Sequence, residues 1–114
     1  MAGRYKSIRR TPRFIADYAE IRDHLREKSP VAYRALPHSM TTILNVIERH
    51  PRAWSVKRKA LVGTGYEFHL AITDIAYRRI HVRYHVDEDD ISHLLTVWID
   101  GQDEPNYVID IETQ

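Results

Sequence analysis

The chain has 114 residues, with 17 Lys/Arg against 16 Asp/Glu and no cysteine. That length suits one domain with its own core, and the absence of thiols excludes disulfides and thiolate metal sites. No apolar run approaches a membrane span and the N-terminus lacks the apolar segment of a secretory signal, so a soluble cytoplasmic protein without a membrane partner is expected.

The net charge of +1 hides an asymmetry: residues 1–61 hold 14 basic against 5 acidic side chains, and residues 62–114 hold 3 against 11. A basic half suits a polyanion or an acidic protein partner, unless the acidic half folds back on it.

Taken in order, residues 5–10 read as a short first strand. Thr11-Pro12 is a helix start, and Phe14, Ile15, Tyr18, Ile21 and Leu25 recur at helical spacing, which predicts an amphipathic helix over 12–27. Ser29-Pro30 repeats the start signal. A second helical pattern runs through Val31, Leu36, Met40, Ile43, Leu44 and Ile47 and stops before Pro51, with a kink or restart expected at Pro37.

A connection follows over 50–65, containing Lys57-Arg58-Lys59 and the turn Gly63-Thr64-Gly65. Three strand-like runs come next, at 66–72, 76–87 and 91–99, separated by Thr73-Asp74 and by Glu88-Asp89-Asp90. They predict an antiparallel meander. The acidic tail at 101–114 is apolar enough at Tyr107, Val108, Ile109 and Ile111 to add an edge strand. The fold class expected is therefore α+β, one domain over 1–114, with a short first strand, a helical hairpin and a three-stranded meander, the helices on one sheet face.

The run from Tyr77 to Asp87, Y-R-R-I-H-V-R-Y-H-V-D, carries the chemistry. Alternation along a strand puts Arg79, His81, Arg83 and His85 on one face and Ile80, Val82, Tyr84 and Val86 on the core side. Similar alternation gives Phe68, Leu70 and Ile72 to the core, with Glu67 and His69 outward. In the last strand it gives Leu95, Val97 and Ile99 to the core, with Trp98 outward and His93 inward as a satisfied buried histidine. The open face then gathers Glu67, His69, Arg79, His81, Arg83, His85 and Trp98. Arginine suits phosphate, and histidine exchanges protons near neutral pH. A merely solvated polar face is the plainer alternative.

The sequence resembles the RelE/ParE superfamily, toxins of bacterial type II toxin–antitoxin pairs, over about residues 5–100. The resemblance is carried by A-D-Y-A-E-I-R-D-H-L-R-E-K-S-P-V-A at 16–32, I-L-N-V-I-E-R-H-P at 43–51, G-Y-E-F-H-L at 65–70 and I-H-V-R-Y-H-V-D-E-D at 80–89. It implies one fold with two activities. RelE-like members cut mRNA in the ribosomal A site without a metal or other cofactor, and ParE-like members inhibit DNA gyrase without enzymatic chemistry. Both kinds pair with a cognate antitoxin. Glu67 and His69 stand where the ribonucleases carry basic residues, and His81 stands where they carry an arginine. The usual catalytic Tyr or His near the end of the last strand has no clear counterpart, and Trp98, Asp100 and Tyr107 are the candidates for its place.

The leading expectation is an endoribonuclease in which a ribose 2′-hydroxyl attacks its own 3′-phosphate. Glu67, His69, His81 or His85 would supply base and acid, and Arg79 and Arg83 would hold the phosphate. Trp98 would stack a base, and Lys57, Arg58 and Lys59 would contact RNA backbone. The partners implied are an antitoxin and the ribosome with its mRNA, or gyrase in the non-enzymatic alternative. A catalytically inactive binding module is a third reading. A zinc site at His69, His81 and His85 is disfavoured by the neighbouring arginines.

Overall fold

Thr11 opens the first helix by two hydrogen bonds. Its Oγ1 accepts from the Phe14 N–H at 3.2 Å and donates to the Leu94 carbonyl at 2.7 Å, so one side chain caps the helix and ties it to a strand. Pro12 fills the first helical position, and α1 spans Pro12–Lys28. Ser29 alone separates it from α2, Pro30–Arg49: the Ser29 N–H bonds to Leu25 O at 2.8 Å, while its Oγ accepts from the Ala32 N–H at 3.4 Å. Pro37 lies inside α2, which runs through without a restart. Its missing N–H is tolerated because Leu36, Met40, Ile43, Leu44 and Ile47 are all buried around it. The computed structural model describes residues 5–54, the backbone of 56–57, and residues 68–76 and 78–101.

The strands are β1 (Ile8–Arg10), β2 (Val56–Lys57), β3 (Phe68–Ile75), β4 (Arg78–Val86) and β5 (Ser92–Ile99). They form one mixed sheet in the order β1-β5-β4-β3-β2. β1 runs parallel to β5, and the other pairings are antiparallel. β2 falls inside the stretch expected to be only a connection. β3 continues through the expected turn at Thr73-Asp74 to Ile75, and Ala76 takes up the turn with φ of 55°. Among the described residues no helix is long and apolar enough to cross a membrane.

Both helices pack on the same sheet face. The core joins Phe14, Ile21 and Leu25 of α1 and the buried face of α2 to Ala71, Ile75, Ile80, Val82, Tyr84, Leu94, Val97 and Ile99 of the sheet. Thr96 donates to Asp17 at 2.5 Å and Ser39 donates to Asp74 O at 2.9 Å, satisfying polar groups where helix meets sheet.

Two face assignments are corrected. In β3 the register pairs His69 with Tyr84, Leu70 with Arg83 and Ile72 with His81. His69 therefore shares the helix-covered face, and Phe68, Leu70 and Ile72 share the face of the basic residues. Both faces of β3 bear apolar side chains, so alternation alone does not choose between them. Ala71 faces the helices because a small side chain admits close packing there.

In β5 the register jumps between Arg83, opposite Thr96, and Tyr84, opposite Leu94, leaving Leu95 as an extra residue. This bulge reverses the alternation N-terminal to it. His93 consequently lies beside His85 on the open face, and Leu94 enters the core in its place.

Candidate functional site

The face of the sheet opposite the helices is built mainly by β4 and β5. At one end of it, the His81 ring lies flat on Trp98, 5.1 Å between centroids and 4° between planes. Its Nε2–H donates to Asp100 Oδ1 at 2.9 Å, and Asp100 Oδ2 accepts from the Arg79 backbone N–H at 3.1 Å and its guanidinium at 3.5 Å. Those hydrogen bonds, the one from His81 foremost, hold the Asp100 carboxyl below the usual carboxylate range. The Arg79 side chain is 60% exposed.

At the other end the chain turns at Asp87–Ile91. Asp87 Oδ1 accepts from the N–H groups of Asp89 at 2.8 Å and Ile91 at 3.0 Å, and its Oδ2 accepts from His93 Nε2–H at 2.9 Å. The His93 bond foremost, with the backbone donors beside it, keeps Asp87 ionised below its ordinary range. The hairpin sets His85 opposite His93, ring centroids 6.4 Å apart and planes 29° apart. Two imidazoles, one oriented by a carboxylate, thus face one small region of surface.

Between the ends, Arg83 is only 1% exposed, its guanidinium carbon 4.8 Å from the Phe68 ring centroid and 5.2 Å from that of Trp98. Phe68, Leu95 and Trp98 are also buried, yet outside the core between sheet and helices. This middle region is therefore a second apolar layer closed around a cation. Arg83 does not present a phosphate clamp to solvent, and Trp98 offers no open ring for a base.

Of the other expected site residues, His69 is buried on the helix side, where its ring stacks on Tyr84 at 5.1 Å and its Nδ1–H donates to Trp54 O at 2.7 Å. Its neighbour Tyr84 donates to Pro51 O at 2.5 Å, and burial pushes its phenol well above the ordinary range. These contacts are structural, and they part His69 from His81 and His85. The three histidines do not converge on a metal, and the described residues hold no group of three metal-ligating side chains. Lys57 stands opposite Phe68 in the short β2 pairing. Glu67, Arg58, Lys59 and the tail from 102 onward lie outside the described residues.

Sequence reasoning does not single out Asp87, expects His93 inward, and names Asp100 only as an outward candidate at the end of the last strand. Counting outward from the turn would have found His93, since a bend over 87–91 fixes Val86 opposite Ser92 and His85 opposite His93. The chain matches no protein-family model, no curated protein and no solved structure.

Proposed function

We propose that this chain is a toxin of the RelE/ParE kind acting as a metal-independent endoribonuclease, with His85, His93 and Asp87 as its acid–base centre. The observation that carries the reading is the pair of imidazoles 6.4 Å apart on the open face, one held by an ionised carboxylate. Support for the family comes from the order strand, helical hairpin and antiparallel strands, with β1 parallel to β5.

The chemistry needs a base on one side of a phosphate and an acid on the other. His93, its Nε2–H committed to Asp87, has Nδ1 to take the proton of a ribose 2′-hydroxyl. The freed oxygen attacks the adjacent phosphorus, and the bond to the 5′-oxygen breaks. His85 delivers a proton to that leaving oxygen, giving a 2′,3′-cyclic phosphate and a 5′-hydroxyl. Asp87 acts by orienting the ring and balancing the charge that forms on it, as the carboxylate does in a Ser-His-Asp triad. The His81–Asp100 pair lies roughly 13 Å from His85 along β4 at the strand rise and Arg79 about 20 Å, too far for either to hold the phosphate that is cut.

The burial of Arg83 favours one competing reading, a toxin of this fold without nuclease chemistry that acts by binding gyrase. A paired assay separates the two. Purified protein is incubated with programmed ribosomes and labelled mRNA, and in parallel with gyrase and relaxed plasmid. The expected result is ribosome-dependent cleavage leaving cyclic phosphate ends, with supercoiling untouched. Intact mRNA with inhibited supercoiling would overturn the nuclease reading, and silence in both arms would overturn the toxin reading.

A further inference from the structure

Between the two helices, on the face of the sheet opposite His85 and His93, lies a cleft of about 370 Å³. Its walls are Phe14, Tyr18, Ala19, Met40 and Leu44, with Pro37 at one edge. Ile15, also on its lining, is 55% exposed and is one of two large aliphatic side chains left so open among the described residues. The volume falls at the small end of the range for small-molecule sites, about 300–1,000 Å³.

The charged groups that line this cleft are both cationic, and Tyr5, Tyr18 and Thr41 add neutral hydroxyls. Arg10, at the end of β1, and Arg22, one turn beyond Tyr18, both line it. Among the described residues Arg10 has no hydrogen-bond or ion-pair partner, and Arg22 reaches only Asp23 at 3.5 Å, with both of those side chains about half exposed. Both arginines share the lining of the cleft with Tyr18, whose hydroxyl burial pushes up against the opposing pull of Arg22 and Arg10. Tyr5 closes a further side, its hydroxyl donating to Asn45 Oδ1 at 3.2 Å. An apolar slot lined by one unpaired guanidinium and a second held only in a long, solvent-exposed ion pair is complementary to a molecule with an apolar body and one anionic end.

We propose that the α1–α2 cleft is a binding site for a small amphiphilic carboxylate, its chain against Phe14, Met40 and Leu44 and its carboxylate held by Arg10 and Arg22. The size of the slot limits the ligand to a medium-length chain or a one-ring aryl acid. Its position, with the whole sheet between it and the histidines, makes the site independent of the proposed nuclease centre.

The test uses decanoate as probe, with decanol as the uncharged control, and isothermal titration of the full chain. Saturable one-to-one binding of decanoate is expected, with decanol at least about tenfold weaker, the worth of a charge-assisted contact. Arg10→Gln with Arg22→Gln should remove that preference while leaving the circular dichroism and urea midpoint unchanged. Ala19→Trp, which fills the slot from a half-buried position in its wall, should abolish binding of both compounds. The proposal is overturned if decanoate does not saturate, or if decanol binds equally well. It is also overturned if an acidic amphipathic peptide saturates the cleft where decanoate fails, since the groove would then belong to a protein partner.

Discussion

The two faces of β4 differ more than any other pair of surfaces in the molecule. On one, Ile80, Val82 and Tyr84 are each 0% exposed and meet the helices. On the other, His81, Arg83 and His85 alternate with them, and only the arginine is buried. The first face is filled by side chains that exclude water on every side, so its job is cohesion. The second carries ionisable groups in specific pairs, Asp100 with His81 and Asp87 with His93, set at the rims of a small apolar patch. One strand thus separates a wholly apolar face from one that carries ionisable groups by parity alone.

That contrast predicts unequal mutational costs. Ile80→Ala should lower the free energy of unfolding by about 2–5 kcal/mol, the range for a buried isoleucine truncated in a packed core. His81→Ala should cost about 1 kcal/mol, the scale of one stacked, hydrogen-bonded side chain. Urea denaturation of both variants checks this, and equal losses would break the distinction between the faces.

Arg83 sharpens it from within. Removing a guanidinium enclosed by Phe68 and Trp98 should cost about 2 kcal/mol in Arg83→Ala, through lost ring contacts and packing of its stem. A variant with unchanged stability would show that the arginine is not part of the second apolar layer.

A smaller effect concerns pH. Asp87 is held below its unfolded carboxylate range, so it stabilises the fold above that range and loses the contribution as pH falls through its lowered folded value. The urea midpoint of wild type should therefore drop on acidification below about pH 4, where free aspartate protonates. Asp87→Asn should flatten that drop, and identical acid limbs for the two proteins would contradict the assignment.

The sequence made much of this architecture legible. Thr11-Pro12 and Ser29-Pro30 marked both helix starts because capping is a local matter of a hydroxyl and a missing N–H. Ile80, Val82 and Tyr84 were placed on the core side correctly because β4 is apolar on one face only. β3 was misread because Phe68, Leu70 and Ile72 outweigh Ala71 and Ile75 in bulk, though the helices require the smaller side. His93 was misread because Leu95 bulges out of register, a feature set by pairing with β4 rather than by residues near it. The burial of Arg83 was illegible for a related reason, since it depends on rings from two neighbouring strands. His81 and His85 were legible as residues of the open face, while His93 and its grouping with His85 were not.

The most direct test compares one histidine from each face in the ribosome-dependent mRNA cleavage assay, with rates normalised to folded protein by circular dichroism. His93→Ala should reduce cleavage by about 10²–10⁴-fold, the usual contribution of a general acid or base, while the fold persists. His69→Gln, on the helix-covered face, should lower stability and leave the rate per folded molecule within about twofold of wild type, since its contacts are structural. Full cleavage by His93→Ala, or loss of cleavage in a folded His69→Gln, would contradict the assignment of chemistry to the open face.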